Sequence, residues 1–182
     1  TTLLDTDEEP GKARFDKIPE LRPAFDKEGT ITAANASKIN DGAAALVVCS
    51  EKGYKEKGLK PIARVVAYYS FAHEPKWFTT APITAIKRVT EMAKMKVSDI
   101  DLFEINEAFS VVTMVTMKDL AIPAEKVNVN GGAVALGHPI GASGARLATT
   151  LIHALGARKK QFGLATLCVG GGEGVALIVE RL

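Results

Sequence analysis

Apolar residues in this chain alternate between short unbroken runs and stripes at helical spacing, and that rhythm sets out most of its elements. Residues 44–49 (AALVVC) form a continuous apolar run, the pattern of a strand covered on both faces. Ser50 then offers a cap to a short helix that ends at Gly58. Residues 62–71 are β-branched and aromatic and predict a strand. Thr80-Ala81-Pro82 opens a helix to about Met95, with proline in the tolerated first turn. Its apolar stripe is Ile83, Ile86, Val89 or Thr90, and Ala93. Residues 100–105 predict a strand, 107–120 a helix, 127–130 a strand and 143–157 a helix. Residues 162–168 and 175–181 predict two strands, joined by Gly170-Gly171-Gly172-Glu173-Gly174 closely enough for an antiparallel hairpin. Strands alternating with helices predict an α/β fold, βαβ units on a mixed, mainly parallel sheet covered by helices.

Charge separates the first residues from the rest. Residues 1–28 hold eight acids against five bases, whereas the whole chain carries +2. Pro10, Pro19 and Pro23 break any long helix there, so the segment reads as an irregular arm anchored by Leu21 and Phe25. A net +2 gives no footprint for nucleic acid. An apolar content of 47% excludes a disordered or collagen-like chain. No stretch of about 18 apolar residues predicts a membrane span. The two cysteines, Cys49 and Cys168, make neither a disulfide framework nor a CxxC metal site. A reducing, soluble, cytoplasmic setting is the resulting expectation, with no metal. At 182 residues there is room for one domain plus pieces of another.

Three polar clusters fall at the carboxyl ends of predicted strands, the edge where open α/β sheets bind ligands. They are Asn106-Glu107, Gly137-His138-Pro139 and Cys168. Eleven of the 16 glycines lie between 131 and 174, around two of these clusters, which suits a crevice where backbone must approach a ligand. Each residue has a plainer reading: His138 as a loop histidine, Asn106 as a helix cap, Cys168 as a small buried hydrophobe. Cys49, inside an apolar run, reads as core. His153 lies mid-helix and reads as structural, while His73 fits either role. No Walker loop, G-x-S-x-G elbow or G-x-G-x-x-G fingerprint is present.

Asn106-Glu107-Ala108-Phe109, NGGAVALGHPIGASGAR from Asn130 to Arg146, and Cys168-Val169-Gly170-Gly171-Gly172 together resemble the thiolase family, of the acetyl-CoA acetyltransferase type. FDKEGTITAANASKINDGAAAL from Phe25 to Leu46 extends the resemblance upstream. The resemblance implies a thiolase-like fold and the condensation of two acetyl-CoA to acetoacetyl-CoA plus CoA, or the reverse thiolysis. A cysteine near the N-terminus of the full protein would carry the acyl group in a ping-pong reaction. His138 would take the proton from that nucleophile, and Cys168 would act on the α-proton. Asn106 would hold a water that, with His138, stabilises the enolate or thioester oxygen, and the Gly170 amide would join a second oxyanion hole. Phe25, Ala33, Ser37, Ala108 and Phe109 would line the pantetheine channel. Coenzyme A enters as substrate and product, with no other cofactor.

The same resemblance implies domains. Residues 1–39 would end the loop domain, 40–60 would be the last strand and helix of the N-terminal domain, and 61–182 the C-terminal domain. The chain then reads as a C-terminal portion without the nucleophilic half, inactive alone, with that missing half and further copies (a dimer or a homotetramer) as partners. The alternatives are a 3-ketoacyl-CoA thiolase of fatty-acid degradation and a non-catalytic CoA-binding or assembly module. A mitochondrial location is the alternative to the cytoplasm.

Overall fold

The structure is a computed structural model that describes Leu3 and residues 5–182. The first, second and fourth residues of the expected 1–39 segment therefore lie outside the described residues. The chain divides into two compact units, residues 1–34 and 35–182.

The first unit is built from short local turns. Helix α1 (Glu8–Lys12) is capped by Asp7, whose side chain accepts from the Glu9 N–H at 3.1 Å. A 3₁₀ turn follows at Phe15–Glu20, and the Ala24 N–H donates to the Ile31 carbonyl at 2.7 Å. Lys12, Arg14 and Lys17 are engaged in exposed ion pairs with Glu9, Asp16 and Glu20. Leu21 is half-buried, but Phe25, expected as an anchor, is 77% exposed.

The second unit carries the sheet. After α2 (Glu51–Glu56), capped by Ser50 as expected, come β1 (Ala63–Ala72), α3 (Ala81–Met92), β2 (Leu102–Ile105) and α4 (Ser110–Leu120). Then follow the single turn α5 (Ala133–Leu136), α6 (Ser143–Ala157), β3 (Phe162–Val169) and β4 (Glu173–Arg181). The strands lie in the order β1-β4-β3-β2. β2 pairs parallel with β3, while β4 runs antiparallel to both β3 and β1. Three strands thus share one direction, and the hairpin return strand β4 is inserted between two of them. This is an α/β mixed sheet.

The period of two along the strands sorts side chains onto two faces. Phe103, Ile105, Leu164, Cys168, Ala176 and Ile178 pack with Ala85, Ile86, Val89 and Val112 of α3 and α4. Leu102, Ala165 and Val179 face the other way, onto Leu147, Leu151, Ala154 and Leu155 of α6. A one-residue slip of β3 would exchange these sets, so register is strongly specified. Two glycines let the layers approach closely. A Cβ on Gly163 would stand 2.7 Å from Leu151 Cδ1, and one on Gly174 would stand 2.6 Å from the carbonyl carbon of Ala81.

Two expected strands do not form. Residues 44–49 make no ladder and are largely exposed, with Val47 at 91%. A continuous apolar run needs neighbours on both sides and cover on both faces, and none of the four strands lies against it. Cys49, expected in the core, is exposed for the same reason. At 127–130 the extended chain shrinks to one parallel bridge, Phe103 to Val127. Asn128 then turns to a φ of 46° and uses its side chain instead of a ladder: Oδ1 accepts from the Ile105 N–H at 2.8 Å, and Nδ2 donates to the Ile105 carbonyl at 2.9 Å.

Candidate active site

The carboxyl ends of β2 and β3 and the turn before α6 meet at one edge of the sheet. β2 ends at Ile105, so Asn106 leaves the sheet there, its N–H donating to the Thr166 carbonyl of β3 at 3.0 Å. Asn106 is fully buried, and its Oδ1 has no hydrogen-bond partner. Such an orphaned polar atom at a strand end is a costly arrangement that a bound group would relieve.

His138 reaches the same point from the other side. Its backbone N–H donates to the Lys38 carbonyl at 2.8 Å, fixing the turn. Asn106 Nδ2 lies 3.3 Å from His138 Nε2, and Ser143 Oγ lies 2.6 Å from Nδ1. The single hydroxyl proton of Ser143 goes to the Pro139 carbonyl at 3.0 Å, so Oγ must accept from Nδ1–H. That assignment leaves the Nε2 lone pair pointing at Asn106 and open to a proton. Burial, and after it the charge of Arg146, holds the imidazole below its ordinary range. At neutral pH His138 is therefore an uncharged base with a fixed tautomer.

Cys168 sits near the end of β3, buried, opposite Gly174 of β4. It shares the sheet edge with Asn106 and His138 but makes no hydrogen bond to either among the described residues. Burial pushes its thiol up to about 11, its own backbone N–H pulling modestly the other way. At rest it is a protonated thiol, a donor. A thiolate there would be about four pK units from neutrality, or about 5 kcal/mol, but a strong base once formed. Gly170 lies in the exposed turn between β3 and β4.

The expected channel residues divide between the units. Ser37, Ala108 and Phe109 come together: Ser37 Oγ donates to the Ala108 carbonyl at 2.9 Å, and Ala36 bridges Phe109. The Phe109 ring packs edge-on to Phe78 with centroids 6.3 Å apart. Phe25 and Ala33 belong to the first unit. His153 lies mid-α6, away from the sheet edge, and His73 Nε2 is engaged with the Trp77 carbonyl at 2.7 Å.

Sequence reasoning missed the supports of the site. Ser143 looked like one more small residue in a glycine-rich run. Glu107 holds the turn after β2, accepting from Asn128 Nδ2 at 3.1 Å and from the Val134 N–H at 3.1 Å. Glu104, in the middle of a buried strand, was an available signal: a carboxylate there requires a partner. Among the described residues no group of three His, Cys, Asp or Glu could hold a metal, and no helix is long and apolar enough to cross a membrane.

Known proteins give this geometry a family. The family model for the thiolase C-terminal domain matches residues 59–181, and that for the thiolase N-terminal domain matches residues 1–52. The acetyl-CoA acetyltransferase of Escherichia coli K12 is 50% identical over 183 aligned residues, covering 100% of this chain and 46% of that protein. The crystal structure of the Bacillus anthracis acetyl-CoA acetyltransferase superposes with a TM-score of 0.89 at 50% identity, covering 92% of this chain and 42% of the other. That of an Ascaris suum thiolase in complex with coenzyme A gives 0.88 at 46% identity, covering 98% and 47%. The chain spans a little under half the length of these relatives, and across that span its fold is thiolase-like. With matches to both thiolase domain models and this fold likeness, the chain belongs to the thiolase family.

Proposed function

We propose that the chain supplies the acid–base and oxyanion groups of an acetyl-CoA acetyltransferase, which joins two acetyl-CoA into acetoacetyl-CoA and CoA or runs the reverse. The observation that carries this reading is the buried Asn106 Nδ2 facing the open Nε2 of a tautomer-locked His138. The acyl-accepting thiol comes from outside these residues, since Cys49 is exposed in an unpaired segment and Cys168 has the other role.

Nε2 of His138 takes the proton of that external thiol as it attacks the thioester, and CoA leaves with the thiol proton of Cys168, so that His138 keeps an Nε2–H and Cys168 becomes a thiolate. For carbon–carbon bond formation, the Cys168 thiolate left when CoA departs takes an α-proton from the second acetyl-CoA. The electron pair released moves onto the thioester oxygen. A water held by Asn106 and the Nε2–H of His138 then donate to that oxygen. Such donors are each worth roughly 3 kcal/mol in a preorganised site. The enolate attacks the acyl carbon, the C–S bond to the nucleophile breaks, the freed thiolate takes its proton back from His138 Nε2, and the product leaves. In thiolysis Cys168 returns its proton to the leaving carbon, which suits a thiol held protonated at rest. Gly170 would add an amide to the second oxyanion hole, and Ser37, Ala108 and Phe109 would border the pantetheine arm.

We further propose that the domains divide as 1–39, 40–60 and 61–182, that the working protein is a dimer or tetramer in the cytoplasm, and that the chain alone is inactive. The test is thiolysis of acetoacetyl-CoA by the protein that carries this chain, followed as loss of the thioester enolate absorbance. Turnover dependent on CoA is expected. No turnover, with the fold intact, overturns the reading.

A further inference from the structure

The Glu104–Arg146 pair is buried beneath the site and has no part in the steps above. Glu104 lies on β2 two residues before Asn106 and is 1% exposed, and its Oε2 accepts from Arg146 Nη1 at 3.2 Å. Arg146 is 19% exposed and stands one turn after Ser143 on α6, so the helix that holds the imidazole also carries the guanidinium. Its other nitrogen, Nη2, is buried without a partner. Arg146 also lines a cavity of about 200 Å³ with Gly137 and Pro139, the two residues flanking His138. A buried ion pair is seldom kept for stability, because apolar residues of equal volume often do as well or better. Its position between the two site elements calls for another role.

We propose that Arg146 is a positioning residue for His138: a fixed cation, oriented by Glu104, that opposes protonation of the ring and keeps Nε2 available as a base. Burial acts in the same direction and more strongly, and Arg146 adds to it. The elements that meet at the ring also carry Glu104 and Glu107 on either side of Asn106, Cys168 near the end of β3, and Lys38 and Asp41 in the segment whose Lys38 carbonyl receives the His138 N–H. Asp41 lines the same cavity as Arg146 and counters its charge. Glu104 does so only where it is ionised. Burial pushes its carboxyl up to about 7, against the pull of Arg146, so across the acidic range where the imidazole titrates Glu104 cancels little of the guanidinium charge.

The inference rests on His138 being the base proposed above, but its test reads the ring itself. The chain is labelled at histidine with ¹³C and ¹⁵N, the His138 signal is assigned with His138→Gln, and its titration midpoint is measured by NMR. In Arg146→Gln the midpoint moves to higher pH. Arg146→Lys, which keeps the charge, and Glu104→Gln, which removes a group already protonated in that range, leave it near the wild-type value. An unmoved midpoint in Arg146→Gln, or an equal rise in Arg146→Lys, overturns the proposal and leaves the reading of the reaction standing. Should Arg146→Gln not fold, the double variant Glu104→Leu, Arg146→Met replaces the pair with apolar volume and carries the same test. A rise there supports the role, and an unmoved midpoint refutes it.

Discussion

Ser143→Ala isolates what holds the tautomer of His138. The hydroxyl is fully buried and makes two bonds, one accepted from Nδ1–H at 2.6 Å and one donated to the Pro139 carbonyl at 3.0 Å. Pro139 keeps a second partner, because the Ala142 N–H also donates to its carbonyl at 2.8 Å. The loss therefore falls mainly on the imidazole N–H. A buried donor left unpaired costs about 1–3 kcal/mol, and the half-buried ring puts this case toward the lower end, about 1–2 kcal/mol. For a chain of this size each kcal/mol lowers Tm by about 2–4 °C, so a drop of about 2–8 °C is expected. The more telling assay is ¹⁵N NMR of the ring at neutral pH. Wild type should show a protonated Nδ1 and a bare Nε2, whereas Ser143→Ala should show both tautomers in exchange. An alanine variant with the wild-type tautomer and an unchanged Tm would refute the argument that Ser143 sets the proton's place.

Two further outcomes follow from the buried titratable groups. At pH 8 iodoacetamide should alkylate exposed Cys49 at least about a hundredfold faster than Cys168, whose labelling should rise about tenfold per pH unit toward 11. Equal labelling in the folded protein would contradict the buried-thiol description. Glu104 should make stability fall as pH rises. Its carboxyl goes from 4.5 to about 7 on folding, so between those values the folded state holds a proton that the unfolded chain has released. That gap is worth about 3 kcal/mol, and urea unfolding of Glu104→Gln should lose this part of the slope. Parallel wild-type and variant curves would show that Glu104 does not titrate there.

Much of the fold was legible because period and punctuation agreed. α6 occupies the residues 143–157 predicted for it, and the glycine link between β3 and β4 makes the hairpin. The failures have one physical source: a strand exists only through its neighbours. Residues 44–49 have the composition of a buried strand and no ladder, and 127–130 are taken over by the side chain of Asn128. At the site, the glycine–histidine run marked His138, and the strand end marked Asn106. The partners that tune them were less visible. Ser143 and Arg146 act only because α6 starts where it does, aligning positions three apart toward β2. A carboxylate at Glu104, between Phe103 and Ile105, was the one sequence sign that something charged lay beneath.

The central claim, that this chain holds the proton-transfer base of a thiolase, is tested most directly by His138→Ala in the protein that carries it. Acetoacetyl-CoA thiolysis should fall by roughly 10²–10⁴, the range a positioned general base contributes, with the far-UV circular dichroism unchanged. Turnover within tenfold of wild type from a folded variant would contradict the account.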